Sequence, residues 1–244
     1  MSVVGKITCP FKIHKQHEHI PPVRPIVSGS GSILENLSKF VDYHIKNIAT
    51  KHSSYLQDTP DFIRKVEEIN KQGKIPENAV LASFDVMALF TNIPQEEGTQ
   101  CTEDALNERE IQTIPTEYII SMLKIILSNN IFSFDDDLYS QKEGTSMGPK
   151  QASHYADILM AQKIYPKIKE IFEKYEKGNI DFLRRFLDDL FKIFTGTTKE
   201  LHEIFDQMNH IHPSIKFTMS HTTNSLEPLS EKCSCSETRR GRPH

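Results

Sequence analysis

Apolar positions recur at helical intervals from Ile33 through Leu34, Leu37, Phe40, Val41 and Ile45 to Ile48, and Ser32 with Glu35 has capping-box spacing, so a helix is predicted there. The preceding stretch "CPFKIHKQHEHIPPVRPIVSGSGS" carries Pro21, Pro22 and Pro25 and reads as extended strand and loop. Its "SGSGS" reads as loop and cap rather than phosphate cradle, because the lysine of a phosphate-binding loop is missing. A second helix is predicted from Thr59, with Pro60 in its first turn, through Phe62, Ile63, Val66 and Ile69. "NAVLASFDVMALF" begins as a continuous apolar run of the buried-strand type and ends at Asp85, where the chain turns toward "TNIP".

Beyond it, "PTEYIISMLKIILSNN" predicts an amphipathic helix capped by Pro115 and Thr116. "IFSFDDDLYSQ" alternates as a hairpin with Asp135, Asp136 and Asp137 at its tip, where unpaired charge meets solvent. "EGTSMGPKQASHYADILMAQKIYPKIKEIFEKYE" is a glycine-bearing turn feeding a long helix interrupted near Pro166. "DFLRRFLDDLFKIFTGT" gives a strand, an Asp pair and a second strand ended by Gly196; a helix over "TKELHEIFDQMNHIH" and a strand over "PSIKFTMSH" follow. After Thr222 the periodicity is lost, which predicts a disordered or poorly packed tail. There is no internal repeat, and the order of elements suggests an α+β fold with helices on one face of an antiparallel sheet.

Composition narrows the class without deciding it. At 244 residues, 37% hydrophobic and 25% charged, the chain fits a soluble globular protein of one large or two modest domains. No apolar run approaches the roughly 20 residues of a membrane span, and the N-terminus lacks the pattern of a signal peptide, so an intracellular protein with no membrane partner is expected. Four scattered cysteines make no disulfide framework; Cys233-Ser-Cys235 and the cluster His14, His17 and His19 are both weak as zinc motifs. Net charge is −4, but residues 1–76 carry 11 Lys and Arg against 7 Asp and Glu, net +4, and residues 77–244 carry 18 against 26, net −8. A basic first part beside an acidic second part suits a protein that holds an anionic substrate with one and cations with the other.

The chemistry centres on Asp188 and Asp189. An isolated Asp-Asp pair is most economically a solvated turn, as in the Asp135–Asp137 tip. Here Phe186, Leu187, Leu190, Phe191, Ile193 and Phe194 flank the pair and hold it against a packed sheet, and desolvated acids need compensation. If the strand ending at Asp85 lies beside this hairpin, three carboxylates converge at one sheet edge, a hard-oxygen site suited to Mg²⁺. Two such ions about 4 Å apart can activate a primer hydroxyl and stabilise leaving pyrophosphate.

"SFDVMALFTNIP", "GTSMGPKQASHYADILM", "FLRRFLDDLFKIFTGT" and "IHPSIKFTM", preceded by "FKIHK" and "RPIVS", together resemble the reverse transcriptases of Penelope-like retroelements over about residues 9–220. The resemblance implies a right-hand polymerase: fingers in residues 1–76, a palm with the remaining fingers elements in 77–222, an irregular tail in 223–244, and no thumb. It makes Asp85, Asp188 and Asp189 catalytic and metal-binding, with the Val86 carbonyl as a further ligand for two Mg²⁺, or Mn²⁺ in their place. Phe186 takes the aromatic position of the Y-x-D-D hairpin. Phe90, five residues after Asp85, becomes a gate excluding a ribose 2′-hydroxyl, and the bare-sequence alternative is a core Phe.

On the same grounds Arg24 in "RPIVS" contacts the nucleotide triphosphate with Lys15 or Lys12 assisting, as suits a planar donor fork. Gly144 and Gly148 let a backbone turn approach substrate. Lys150, Gln151 and His154 depart from the small and apolar residues usual after that turn, and the end of the chain departs from the usual primer-grip segment, so a fragment, a decayed copy or a mispredicted gene product is expected. Implied partners are an RNA template, a DNA primer and deoxynucleoside triphosphates, and the implied location is nuclear. The rival readings are an inactive truncated copy that only binds nucleic acid, and a different metal-dependent phosphoryl-transfer enzyme.

Overall fold

The computed structural model describes residues 5–10, 26–73, 75–76, 79–175 and 181–222 of the chain. Strands β1 (Gly5–Thr8) and β2 (Ile26–Ser28) come first, followed by helices α1 (Glu35–Thr50) and α2 (Thr59–Lys71). Strand β3 (Val80–Val86), helices α3 (Leu89–Asn92), α4 (Gln95–Asn107) and α5 (Thr116–Ser128), and the hairpin β4 (Ile131–Phe134) and β5 (Asp137–Ser140) come next. Helix α6 (Ala152–Leu159) passes through a π-turn, Met160–Ile164, into α7 (Tyr165–Tyr175). The second hairpin, β6 (Leu183–Phe186) and β7 (Asp189–Phe194), then leads through α8 (Thr198–Met208) to β8 (Phe217–Thr222).

The larger architectural element is an antiparallel sheet in the order β6-β7-β3-β8. Val80, Ala82, Phe84 and Val86 alternate onto its buried face, where Leu190, Phe194 and Phe217 join them beneath Tyr155, Ile168, Phe172, Leu201, Ile204 and Met208 of the helices. The period-2 pattern therefore turns Leu81, Ser83 and Asp85 to the other face. Helix α2 covers one end of that face, with Phe62, Val66 and Ile69 packed on Ala79, Phe182 and Ile193. The opposite end, at Asp85, is left uncovered by α2. This is the predicted α+β layer, with one face only partly roofed.

A second sheet, β2-β1-β4-β5, is mixed, since β1 pairs antiparallel with β2 and parallel with β4. The sequence predicts the β4–β5 hairpin, which forms, but not the pairing of β1 with β2 and β4, because nothing local links residues so far apart. Gly148 joins this sheet to the rest of the protein: a Cβ there would stand 1.5 Å from the Val27 carbonyl oxygen. Gly148→Ala must therefore push two main chains apart. We expect a loss of more than about 2 kcal/mol, measurable as a lower urea midpoint, in the upper range of overpacking.

One local expectation changes, one is borne out in detail, and one helix is new. Helix α1 starts at Glu35, with no capping box: the Glu35 carboxylate accepts from the Gly31 amide at 2.6 Å, and the Ser32 hydroxyl donates to the Gly29 carbonyl. The long helix is interrupted one turn before Pro166. The Tyr165 amide reaches back to the Met160 carbonyl, the wide register of a π-turn, next to a proline that has no amide to donate. Helix α4 was not anticipated, because its buried face is built of Gly98, Thr99, Cys101, Thr102 and Ala105 with one large apolar residue, Leu106. Small residues there let α6 approach; a Cβ on Gly98 would meet the Tyr155 hydroxyl at 2.3 Å.

Elsewhere the predicted elements form, with α2 capped by Asp58 and α8 by a capping box between Thr197 and Glu200. The predicted irregular tail and the histidine cluster lie outside the described residues. Cys101 is buried and Cys9 half-buried, both as free thiols. Among the described residues no helix is long and apolar enough to cross a membrane.

Candidate active site

Strand pairing brings the two acidic segments together. Asp85 and Asp189 are cross-strand partners in the β3–β7 ladder, and Asp189 is also paired with Phe186 across the β6–β7 hairpin. Residues paired in this way project to the same face, with Cβ atoms about 5 Å apart. Asp85, Asp189 and Phe186 therefore share the uncovered end of the sheet, and Thr218 of β8 flanks Asp85 on its other side. All four are exposed, whereas their neighbours Phe84 and Leu190 are fully buried. Of the apolar residues around the acid pair, Leu190 and Phe194 anchor the strands from below as expected, whereas Phe191 and Ile193 lie on the acids' own face toward α2 and Phe186 is exposed.

Asp188 sits in the two-residue loop between β6 and β7. Leu187, the first loop residue, has φ +51°, a left-handed conformation unusual for a branched side chain and demanded here by a tight hairpin. The loop is pinned to β3, since the Val86 amide donates to the Asp188 carbonyl oxygen at 3.0 Å. Next along the chain, the Met87 amide donates to the Lys216 carbonyl at 2.8 Å, so β3 is held on both sides up to its last residue.

Electrostatics mark the same place. Although Asp189 keeps part of its surface in solvent, its carboxyl is pushed up to about 6, first by partial desolvation among its neighbours and then by the charges of Asp188 and Asp85. The donors on offer are carboxylate oxygens and the main-chain carbonyl of Val86, all hard, so the chemistry of the set fits a divalent cation such as Mg²⁺. Among the described residues no group of three acidic, His or Cys side chains already stands gathered for a metal ion. The fit is one of donor chemistry and placement, not of a finished cage.

Phe90 lies on α3, just beyond a turn in which Ala88 takes φ +49°. It is half-buried and packs on the main core, so the structure contains the core role, while leaving part of the ring outside. Its carbonyl accepts from the Thr145 amide at 2.7 Å. Gly144, at φ +68°, comes so close to Phe90 and Thr91 that a Cβ would meet their carbonyl oxygens at 2.5 and 2.6 Å. The glycines of "GTSMGPK" thus serve close approaches within the protein: Gly144 to α3 and Gly148 to β2. Beside Gly148 opens a cavity of about 630 Å³ whose wall includes Ser30, Lys39, Asn130 and Lys150.

The residues that depart from the usual pattern after the glycine turn face α1. The Ser38 hydroxyl donates to Gln151 Oε1 and accepts from the Lys150 amide, and His154 Nδ1 lies 2.6 Å from Asp42. Arg24, Lys15 and Lys12 lie outside the described residues. Among the buried charged residues that the sequence reading does not single out are Arg185, fully buried in β6, and Asp157, buried on α6, which bond to one another. The available signal was an arginine at a core-facing position of an alternating strand. Burial pushes the Asp157 carboxyl up, against the pull of Arg185.

A helix-backed antiparallel sheet with acids at the end of its central strand and in the adjoining hairpin is the fold of right-hand polymerase palm and fingers, and solved structures agree. Over 91% of the chain it matches apo telomerase from Candida tropicalis at a TM-score of 0.67 and 12% identity, covering 44% of that protein. Telomerase from Candida albicans, in complex with a fragment of telomeric RNA, matches over 85% of the chain at a TM-score of 0.58 and 12% identity, covering 39%. The BmCPV RNA-dependent RNA polymerase at quiescent state matches over 93% at a TM-score of 0.62 and 14% identity, covering 21%. The chain thus spans less than half the length of these proteins. No protein-family model matches the sequence, and no curated protein is significantly similar to it.

Proposed function

We propose that the chain carries the nucleotidyl-transfer centre of an RNA-directed DNA polymerase of the Penelope-like retroelement type, acting on an RNA template, a DNA primer and deoxynucleoside triphosphates. The observation that carries this reading is the register of Asp85 with Asp189, beside Asp188 in a loop tied to the same strand. The fold shared with telomerases and an RNA-dependent RNA polymerase supports the polymerase class. The ordered segments "SFDVMALFTNIP", "GTSMGPK" and "FLRRFLDDLF" support the finer assignment.

In this reading Asp85, Asp188 and Asp189, with the Val86 carbonyl, hold two Mg²⁺, and Mn²⁺ can replace them. When bound there, such ions would supply Lewis-acid activation of a hydroxyl nucleophile and charge neutralisation at a leaving group. The protein supplies position. The buried alternation of β3 and β7 fixes where the carboxylates emerge, and Phe186, 41% exposed beside Asp189, offers an apolar surface on which the primer end rests. The cavity that opens beside Gly148, with Lys39 and Lys150 on its wall, accepts the template strand, and Gly148 itself holds that wall against β2. Arg24 and Lys15 receive the triphosphate, and the site works in the nucleus.

Purified protein with a primed RNA template, Mg²⁺ and labelled nucleotides tests the reading. Extension by wild type and none by Asp188→Asn supports it. Template retention without extension by either protein would replace it with a nucleic-acid-binding module. The ring of Phe90 makes a separate prediction: Phe90→Val should raise ribonucleotide incorporation relative to deoxyribonucleotide by about tenfold or more, since about 1.4 kcal/mol of lost steric exclusion is a factor of ten. Competition between the two nucleotides on one primer reads it, and an unchanged ratio sinks the gate.

A further inference from the structure

Arg185 is buried to 0% exposure in β6, three positions before Asp188. Its guanidinium binds Asp157 of α6 through Nη1, while Nε and Nη2 find no partner among the described residues. Its main chain is clamped as well: the amide donates to the Ser54 carbonyl at 2.7 Å, and its carbonyl accepts from the Leu56 amide at 2.8 Å. The neighbouring Arg184 behaves differently, lying over the Phe182 ring at 5.1 Å.

For stability alone this arrangement is poor. A buried ion pair loses two hydration shells, and unsatisfied donors add to the cost, so well-packed apolar residues of similar volume would serve as well or better. The placement suggests another use. Arg185 pairs with Leu190, the residue after Asp189, and so stands on the underside of the acidic hairpin. Asp157 lies in electrostatic reach of Asp188, and its helix is the one fed by the glycine turn and tied to α1 through Gln151 and His154.

We propose that Arg185, braced by Asp157, is a positioning residue that sets the Asp188–Asp189 turn for metal binding by locking β6 to the helix behind it. The inference rests on the metal-site reading of Asp85, Asp188 and Asp189. Removing the brace leaves the carboxylates present but less well placed. Groups that orient metal ligands in this way change metal affinity by about 10- to 100-fold when replaced.

The test measures metal binding without catalysis. Wild type, Arg185→Lys and the double variant Arg185→Met/Asp157→Leu are titrated with Mn²⁺, following the free-ion signal by electron paramagnetic resonance, with thermal unfolding recorded alongside. The double variant keeps net charge and should unfold at or above the wild-type temperature, yet bind Mn²⁺ at least tenfold more weakly. Arg185→Lys, which keeps the charge but loses the planar fork, should fall between. In primer extension, the Arg185→Lys variant should lose kcat with little change in KM for the nucleotide. Wild-type Mn²⁺ affinity in a folded double variant overturns the proposal, as does wild-type affinity in Arg185→Lys should the double variant fail to fold. Absence of Mn²⁺ binding by wild type itself would instead overturn the metal-site reading, and this proposal with it.

Discussion

Asp189→Asn should lower nucleotide addition by about 10² to 10³-fold, the scale on which removal of one preorganised electrostatic group acts, and at neutral pH it should make the protein more stable. The second half follows from linkage. A carboxyl raised to about 6 from 3.8 holds its proton more tightly folded than unfolded. Its contribution to stability is therefore fully present below about pH 4 and is lost as pH climbs through 6. Asn has no charge to lose. Because Asp189 is exposed, solvent screening reduces the full shift, and a gain of about 1 kcal/mol at pH 7.5 is expected, shrinking to nothing near pH 4. Urea unfolding of both proteins at the two pH values reads this directly. A variant less stable than wild type at pH 7.5 would mean that Asp189 is held by attractive contacts rather than strained by its neighbours.

Phe84→Ala should cost about 3 to 5 kcal/mol, the range for truncating a large buried aromatic side chain. Phe84 is fully buried next to Asp85, its ring meets Phe172 edge-on with centroids 6.0 Å apart, and Phe172 meets Phe194 of β7 in the same way. That chain of rings fastens α7 to the two strands that carry Asp85 and Asp189. Phe84→Leu keeps most of the volume and should cost less than about 1.5 kcal/mol. Thermal or urea unfolding of the pair checks the ranking. A Leu variant as damaged as the Ala variant would show that ring geometry, rather than filled volume, decides the site.

The site was legible where one short segment carried both pattern and chemistry. The alternating apolar residues of "VLASFDV" place Asp85 on the face opposite Phe84 in any sheet, and the flanks of Asp188 and Asp189 announce a hairpin over a core. What the sequence left conditional was whether the two segments are neighbours, and only the register of β3 with β7 answers that. Helix α4 was hidden because helix–helix contact through Gly98 and Tyr155 selects small residues, which erase the apolar stripe by which helices are recognised. The β1–β4 pairing was hidden because parallel partners distant in sequence leave no shared turn. Arg185 drew no reading from the sequence, since a buried charge becomes visible only once its partner on another element is in place.

The central strand of the main sheet has a cost during synthesis. Residues 80–86 emerge from the ribosome long before 189–194 and 217–222, their neighbours on either side. Until then "VLASFDV" is a β-prone segment with two unsatisfied edges, and pairings this distant in sequence form slowly. Asp85 is the one charge in that segment. The residue assigned to catalysis in the finished protein is thus also, in the nascent chain, the one that opposes aggregation.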